Sequence, residues 1–156
     1  MTVGRDFYQY AYVTGDLAAA SREIRALHGL GPLKEMLDLN FTMGPGREAR
    51  AHFALAFKDG LQFEIIQPLD GDVAAYRQTL DGPGPVLRFH HLGRHFDSPE
   101  DCQTVVAEMR PRWPMVMEFA GYGGYCCYFD ARATFGHHLE FFSFPVGAPI
   151  LDVPYY

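Results

Sequence analysis

The sequence predicts an α+β fold in which two tandem βαβββ modules form one curved mixed sheet around a central cleft. The same order of strand-type and helix-type segments occurs twice, and a segment rich in proline and glycine separates the two occurrences. A polar strand residue also stands at the same distance before each helix cap: Gln9 before Asp16, and His91 before Ser98. Internal repetition of this kind predicts that equivalent strands of the two modules face one another.

The composition suits one domain, residues 1–156, and excludes several classes of function. The chain is 48% hydrophobic and 15% aromatic, which is ample for a buried core. Its net charge of -6, without a Lys/Arg run, argues against nucleic-acid binding. It contains no apolar stretch that could span a bilayer, and Met1–Tyr12 lacks the features of a secretory signal. The three cysteines follow neither a disulfide nor a zinc pattern, so we expect reduced thiols and a cytoplasmic protein.

The first module is expected at about 6–68. Asp16 is a suitable N-cap for its helix, and Gly29 is a suitable C-terminal stop. The helix carries Leu17, Ala20, Ile24 and Leu27 at helical spacing. The predicted strands are Phe7–Val13, Leu33–Leu39, Ala51–Phe57 and Leu61–Gln67, the last two joined by a hairpin turn at 58–60.

The second module is expected at about 87–145, after a connector at about 69–86 that holds a short helical piece, Val73–Leu80. Ser98 caps the helix of this module, with Pro99 at its first position. The residues Cys102, Val105, Val106 and Met109 follow at helical spacing. The predicted strands are Leu87–Phe96, Met115–Phe119, Tyr125–Asp130 and His138–Phe144. A tail, 146–156, is expected to lack regular structure because of its prolines.

Strand periodicity places four polar residues on the cleft face of the sheet. Alternate residues of a strand share a face. The opposite faces of the same strands carry Phe63, Ile65, Leu139 and Phe141, which are suited to lie beneath the amphipathic helices. The cleft faces then present Gln9, Glu64, His91 and Glu140. The same periodicity places Phe89 beside His91, and turns His90 and His137 towards the helices.

Two carboxylates that converge in an apolar cleft predict a bound cation. A single Glu on a strand is commonly a solvated residue, but Glu64 and Glu140 together would repel each other and would be costly to desolvate. One divalent ion removes both problems, with His91 as a nitrogen ligand and Gln9 as an oxygen ligand. This donor set suits Zn²⁺, Ni²⁺, Co²⁺, Mn²⁺ or Fe²⁺. His95 lies too far along its strand to join, whereas His138 is a candidate partner of the site or an acid/base.

Four short stretches resemble the vicinal oxygen chelate superfamily, which includes glyoxalase I, methylmalonyl-CoA epimerase, antibiotic resistance proteins and extradiol dioxygenases. They span both modules and are Gln9–Leu17, Leu61–Leu69, His90–Leu92 and Gly136–Phe142. The resemblance implies paired βαβββ modules with a metal ion in the cleft. The order Gln9, Glu64, His91, Glu140 is similar to the ligand set of the glyoxalase I type.

The resemblance implies a metal-dependent isomerase or lyase that abstracts a proton alpha to a carbonyl of a small substrate, including thioester- or thiol-conjugated ones. Glu140 is the first candidate for the base and Glu64 the second, while the cation stabilises the developing negative charge. Lys34, Arg47 and Arg50 are candidates for holding an anionic part of the substrate.

Two alternatives remain open at the level of sequence. One is a binding or resistance protein without turnover, in which Phe7, Phe89, Phe142, Phe144 and Tyr125 line an apolar pocket. The other is an extradiol dioxygenase, which needs a second histidine ligand where Gln9 stands. The cleft is compatible with a monomer and with a homodimer that exchanges strands.

Overall fold

The computed structural model describes residues 7–121 and 123–156. The predicted start of the first module at residue 6, and residue 122 of the turn between the sixth and seventh strands, lie outside these residues. The elements of the first module are β1 (Gln9–Val13), α1 (Leu17–His28), β2 (Lys34–Thr42), β3 (Glu48–Lys58) and β4 (Leu61–Gly71). The connector holds α2 (Ala74–Arg77) and a 3-10 turn (Gln78–Leu80). The second module comprises β5 (Arg88–His95), α3 (Pro99–Met109), β6 (Met115–Gly121), β7 (Gly124–Phe129), α4 (Arg132–Phe135) and β8 (His138–Ser143).

The strands form one curved mixed sheet of eight strands in the order β2-β3-β4-β1-β5-β8-β7-β6. Within each module the first strand pairs in parallel with the last, β1 with β4 and β5 with β8. The modules join where β1 pairs antiparallel with β5. The predicted fold class is confirmed, and both modules of one chain build the cleft.

The two long helices cover the convex face of the sheet, as the periodicity predicts. The Asp16 side chain accepts a hydrogen bond from Ala19 N, and the Ser98 side chain accepts one from Asp101 N, so both predicted caps are present. Helix α1 buries Leu17, Ala20 and Ile24 against a cluster that includes Phe63 and Ile65. Helix α3 buries Cys102 and Val106 against a cluster that includes Leu139 and Phe141.

The elements differ from the prediction mainly in length. Strand β2 is predicted to end at Leu39 but continues to Thr42, past an irregularity at which Asp38 adopts a φ of 53°. Strand β4 continues to Gly71, into the segment predicted as connector, because its pairing with β3 extends that far. Helix α4 was not predicted, since four residues are too short a run for hydrophobic periodicity to show.

A β-bulge at His90 overturns two predicted orientations. Ala11 pairs with His91 and Tyr12 pairs with Phe89, so His90 is an extra residue in β5. Phe89 therefore lies on the convex face, where its ring contacts Tyr10 and Tyr12. The predictions that Phe89 shares the face of His91 and that His90 points to the helices are wrong, because alternation holds only while pairing is regular.

The C-terminal segment, 147–156, crosses back over the first module. Tyr155 forms a parallel bridge with Phe57, and its ring stacks on the Phe57 ring with centroids 4.6 Å apart. Val153 is buried in the hydrophobic cluster that fills the cleft, and Ile150 and Leu151 pack against that cluster. Among the described residues, no helix combines the length and the apolar character that a membrane crossing requires.

Candidate metal centre

The four predicted ligand residues meet at one point of the cleft. His91 Nε2 lies 3.2 Å from Gln9 Oε1, 3.3 Å from Glu140 Oε2 and 3.5 Å from Glu64 Oε2. All four side chains are buried, with 0 to 3% of their surface exposed. The structure therefore brings together side chains from four different strands, two from each module.

Strand register explains why these four side chains converge. Gly93 pairs with Gln9 on one side and with Glu140 on the other. In the next row of the same face, Ala11 pairs with Glu64 and with His91. Gly93 and Ala11 thus lie between the polar residues in the sheet. Because both are small, they leave room for the four polar side chains to meet above them. A Cβ at Gly93 would lie 2.2 Å from Gln9 Oε1.

The sequence contains a signal for this role of Gly93 and Ala11, although the role is not among the predictions. Both residues share a face with predicted ligands on the two central strands, and both are small.

The cluster favours a positive charge at its centre. Burial alone would lower the pKa of His91, but the charges and hydrogen bonds of Glu140 and Glu64 outweigh it and raise the pKa to about 9. Burial raises the pKa of Glu64, and the charge of Glu140 adds to that rise. A cation at this point therefore relieves the repulsion between the two carboxylates.

His90 fixes the orientation of the His91 ring. His90 Nε2 lies 2.9 Å from Ala75 O, which can only accept, so this nitrogen carries the proton and donates. Burial, followed by the charge of His91, holds the pKa of His90 well below its usual value, so His90 is neutral and its Nδ1 accepts. His91 Nδ1, 2.8 Å away, is then the donor. His91 Nε2 is left to face the carboxylates and Gln9.

The Glu140 carboxylate accepts a hydrogen bond from a neighbouring element through one oxygen, Oε1, while Oε2 lies against His91. The Cys126 thiol donates to Glu140 Oε1 at a distance of 3.0 Å, and burial raises the pKa of this thiol well above its usual value. Glu140 Oε2 and Glu64 Oε2 are buried and both lie against His91 Nε2, at 3.3 and 3.5 Å, with no other hydrogen-bond partner among the described residues. Two buried carboxylates that share a single partner are costly, and metal coordination is one way in which proteins satisfy them.

Other histidines lie around this cluster. His138 is buried, its ring stacks on the His90 ring with centroids 4.4 Å apart, and burial lowers its pKa to about 4. His95 Nε2 contacts Phe144 O, so its ring lies further along the strand, as predicted. His137 lies on the helix side, as predicted, where its ring contacts Phe89 and Phe135.

The donor set fits a divalent cation in chemistry. One imidazole nitrogen, two carboxylates and one amide oxygen are ligands that Zn²⁺ and related ions accept. Among the residues that the structure describes, no three His, Cys, Asp or Glu side chains already surround a single point as ligands do. His91 Nε2 instead lies directly against the oxygens, so these side chains would have to move apart to admit an ion.

A cavity of about 550 Å³ lies at one end of the cleft. Aromatic rings dominate its wall, with His95 and Asp97 as polar groups, and none of the described lining residues is a lysine or an arginine. The aromatic residues are Phe7, Tyr8, Phe57, Phe144 and Tyr155. Of the residues predicted to line an apolar pocket, Phe7 and Phe144 do so. Phe89 and Tyr125 lie on the helix side and Phe142 is fully buried in the cleft cluster, so the prediction is wrong for these three.

The three cationic side chains considered for an anionic substrate are engaged by carboxylates. Arg47 Nε lies 2.6 Å from Asp72 Oδ2. Arg50 forms ion pairs with Asp38 and Asp70. Lys34 Nζ lies 3.7 Å from Asp152 Oδ2 and donates to the carbonyl of that residue at 2.7 Å.

Solved structures share this architecture. Methylmalonyl-CoA epimerase of Streptomyces coelicolor, in a variant bound to 2-nitronate-propionyl-CoA, matches with a TM-score of 0.63 at 12% identity, over 92% of this chain and 100% of that one. The epimerase of Mycobacterium tuberculosis matches with a TM-score of 0.62 at 12% identity, over 93% of this chain and 91% of that one. This chain therefore shares its fold with these methylmalonyl-CoA epimerases.

The structural likeness comes with low sequence identity throughout. A hypothetical protein of Bacillus halodurans matches in structure with a TM-score of 0.57 at 15% identity, over 92% of this chain and 96% of that one. No protein-family model and no curated protein matches the sequence. At this level of identity the comparisons establish the fold, and the reaction has to be argued from the site.

Proposed function

We propose that this chain is a metal-dependent isomerase or lyase that abstracts a proton alpha to a carbonyl group of a small substrate. The observation that carries the proposal is the convergence of Glu64 and Glu140, fully buried, on His91 and Gln9. Two buried carboxylates that share one protonated imidazole leave a net negative charge in the interior, which a divalent cation would neutralise. The shared fold with methylmalonyl-CoA epimerases supports an isomerase-type reaction.

Gln9, Glu64, His91 and Glu140 would hold the cation. When bound, it would act as a Lewis acid that stabilises negative charge developing on a substrate carbonyl oxygen. Through its own bond to Ala75 O, His90 keeps Nε2 of His91 directed at the site, and this nitrogen would bind the cation once it has lost its proton. The buried setting excludes bulk water, which strengthens each of these electrostatic interactions.

Glu140 is the proposed base and Glu64 the second candidate. Cys126 holds Glu140 Oε1, so the carboxylate keeps its orientation while Oε2 faces the cluster. As the base, Glu140 would give up its place beside the cation to the entering substrate and take the proton on Oε2. Burial raises the pKa of Glu64, and the charge of Glu140 adds to that rise, which makes Glu64 a stronger base than an exposed carboxylate.

The substrate is proposed to be small and without a large anionic arm. Lys34, Arg47 and Arg50 are already paired with carboxylates, and Asp97 gives the nearby cavity an acidic group. A thioester or thiol conjugate with a short, uncharged arm is compatible with this lining. We also propose a cytoplasmic protein, in keeping with three free, buried cysteines.

Proton exchange with heavy water tests the reaction class before the product is known. A panel of 2-substituted carbonyl compounds and short thioesters is incubated in D₂O with metal-loaded protein, and loss of the alpha-proton signal is followed by NMR. We expect exchange with at least one compound, and a rate at least ~10²-fold lower in Glu140→Gln, because that change removes the base. Exchange that persists unchanged in Glu140→Gln would rule out Glu140 as the base.

Metal content supplies the second half of this test. Protein purified without chelator is expected to carry about one divalent ion per chain, and Glu64→Ala and His91→Ala are expected to lose most of it. Equal metal content in all three proteins would remove these residues as ligands.

The aromatic cavity favours a second candidate function, a binding protein without turnover. Its volume and its apolar wall are typical of small-molecule sites. In that case an aromatic ligand would bind equally well in the presence and absence of chelator, and no compound would exchange its alpha proton. The extradiol alternative is disfavoured, because His90 uses both ring nitrogens on Ala75 O and His91 and is not available as a second ligand.

A further inference from the structure

We propose that the C-terminal segment, 147–156, orients one ligand of the metal centre: through Gln62 it determines which atom of the Gln9 amide faces the ion. This inference rests on the proposed function. Gln62 and the segment act as positioning elements that touch neither the ion nor the substrate. The connection consists of two hydrogen bonds, from Gln62 to the backbone of Ile150 and from Gln9 to Gln62.

The order of donors and acceptors leaves one orientation for both amides. The carbonyl oxygen of Ile150 can only accept, so the Gln62 atom that lies 2.7 Å away must be the NH₂ group. The other end of the Gln62 amide is therefore its oxygen. That oxygen can only accept, and it lies 3.1 Å from the Gln9 amide, which must present its own NH₂ group there.

The consequence at the metal centre is that Gln9 directs its oxygen inwards. Gln9 Oε1 lies 3.2 Å from His91 Nε2, at the point where the carboxylates of Glu64 and Glu140 also converge. A neutral amide binds cations through its oxygen and not through its NH₂ group, so the direction of this amide decides whether Gln9 is a ligand. A backbone carbonyl in the C-terminal segment thus sets the fourth ligand of the site.

Packing prevents the Gln9 side chain from leaving this position by a simple swing. Gln9 and Gln62 are both fully buried. On the other side of Gln9 stands Gly93, so close that an added Cβ would lie 2.2 Å from Gln9 Oε1 and 2.9 Å from Gln9 Cβ. A rotation that exchanges the oxygen and NH₂ group of the amide needs little space, and the hydrogen bond to Gln62 opposes that rotation.

The segment is itself held at several points. Its main chain bonds to β3 on both sides of Tyr155, from Phe57 N to Pro154 O and from Tyr156 N to Phe57 O, each at 2.8 Å. Lys34 donates to the carbonyls of Pro149 and Asp152, and the Tyr156 hydroxyl donates to Pro32 O at 2.7 Å. These contacts hold Ile150 O at a fixed place relative to Gln62.

Titration of metal-free protein with Co²⁺, followed by visible absorption, tests the inference without any substrate. In Gln62→Met the side chain keeps its volume and loses both hydrogen bonds, and we expect Co²⁺ to bind roughly 10- to 100-fold more weakly, as is usual for a partner of a metal ligand. The matched control is Gln67→Met on the same strand. Gln67 accepts a hydrogen bond from Leu17 N, on the helix side, and its loss is expected to leave Co²⁺ affinity unchanged.

A second variant tests the segment itself. Tyr155 is 72% exposed and its ring stacks on Phe57, so Tyr155→Ala is expected to fold and to weaken the attachment of this end of the segment, which keeps its main-chain bonds. We expect Co²⁺ affinity to fall several-fold, whereas Phe135→Ala, which removes another exposed ring far from the segment, is expected to change nothing.

The outcomes separate the inference from the proposed function. If the wild-type protein binds no stoichiometric Co²⁺, the proposed function and the inference both fall. If the wild type binds Co²⁺ and Gln62→Met and Tyr155→Ala bind it equally well, the inference alone is overturned. Equal weakening in Gln62→Met and Gln67→Met would also overturn it, because the effect would then be one of general stability.

Discussion

The two modules support their ligands by different chemistry. In the first module Gln9 is held by a second amide, Gln62, which ends on Ile150 O. In the second module His91 is held by a second imidazole, His90, which ends on Ala75 O. In both cases the last partner is a backbone carbonyl, which can only accept and therefore sets the direction of every hydrogen bond before it.

The position of these carbonyls shows how the halves depend on one another. Ala75 lies in α2, in the connector that follows the first module, and it supports the ligand of the second. Ile150 lies in the C-terminal segment that follows the second module, and it supports the ligand of the first. Gln9 and His91 are therefore each oriented by the segment that follows the opposite module. The duplicated βαβββ plan places the four proposed ligands, and these two segments orient one of them in each module.

The largest expected difference between the modules concerns the ligands themselves. His91→Ala leaves Glu64 and Glu140 facing each other without a cationic neighbour, so we expect the metal-free protein to lose about 3–5 kcal/mol of unfolding free energy. Gln9→Ala leaves the amide of Gln62 without one partner, and we expect a loss of about 1–3 kcal/mol. Urea denaturation of both variants measures the two values. A larger loss in Gln9→Ala would mean that repulsion between the carboxylates is not the main source of instability in the cluster.

A smaller effect is expected from the support of His91. His90→Phe keeps an aromatic ring between Tyr76 and His138 but removes the acceptor of His91 Nδ1. We expect Co²⁺ affinity to fall roughly 10-fold, because the ring of His91 is then free to turn. His137→Phe is the control, since that ring lies on the helix side. If both variants bind Co²⁺ like the wild type, His90 only fills space.

The fold and the four-residue cluster were predictable because they depend on periodic signals. Helix spacing with the caps Asp16 and Ser98 fixed the helices, and alternation along β1, β4 and β8 gave the correct cleft face for Gln9, Glu64 and Glu140. The repeat then predicted that strands of the two modules meet. Alternation along β5 also predicts the cleft face for His91, although this alternation breaks one residue earlier, at the bulge of His90.

The features that escaped prediction carry no periodic signal. The bulge at His90 inserts a single residue, and nothing in the side chains of β5 marks it, so Phe89 and His90 were assigned to the wrong faces. The hydrogen bonds that orient Gln9 and His91 end on the backbone carbonyls of Ile150 and Ala75. Every residue has a backbone carbonyl, so the sequence does not mark these two. The tail was expected to be irregular, and its docking on β3 depends on contacts that are distant in sequence.

The smallest expected effect comes from the helix caps, where the modules should behave alike. Asp16→Ala and Ser98→Ala each remove one side-chain bond to a helix N-terminus, and we expect each to cost about 1 kcal/mol of unfolding free energy in urea. Neither should change Co²⁺ affinity, because both helices lie on the convex face. A change in affinity for one cap only would reveal that its helix contributes to the site.

The antiparallel pairing of β1 with β5 has a consequence for how the molecule unfolds. It joins the two modules within the sheet, and Gln9 and His91 lie on these two strands. An ion bound there would be lost when either half opens, so it would link the unfolding of the halves into one cooperative transition. At a free metal concentration 100 times the dissociation constant, it would add about 2.7 kcal/mol to the free energy of that transition. The site that we propose for chemistry would thus also act as a cross-link between the two halves of the chain.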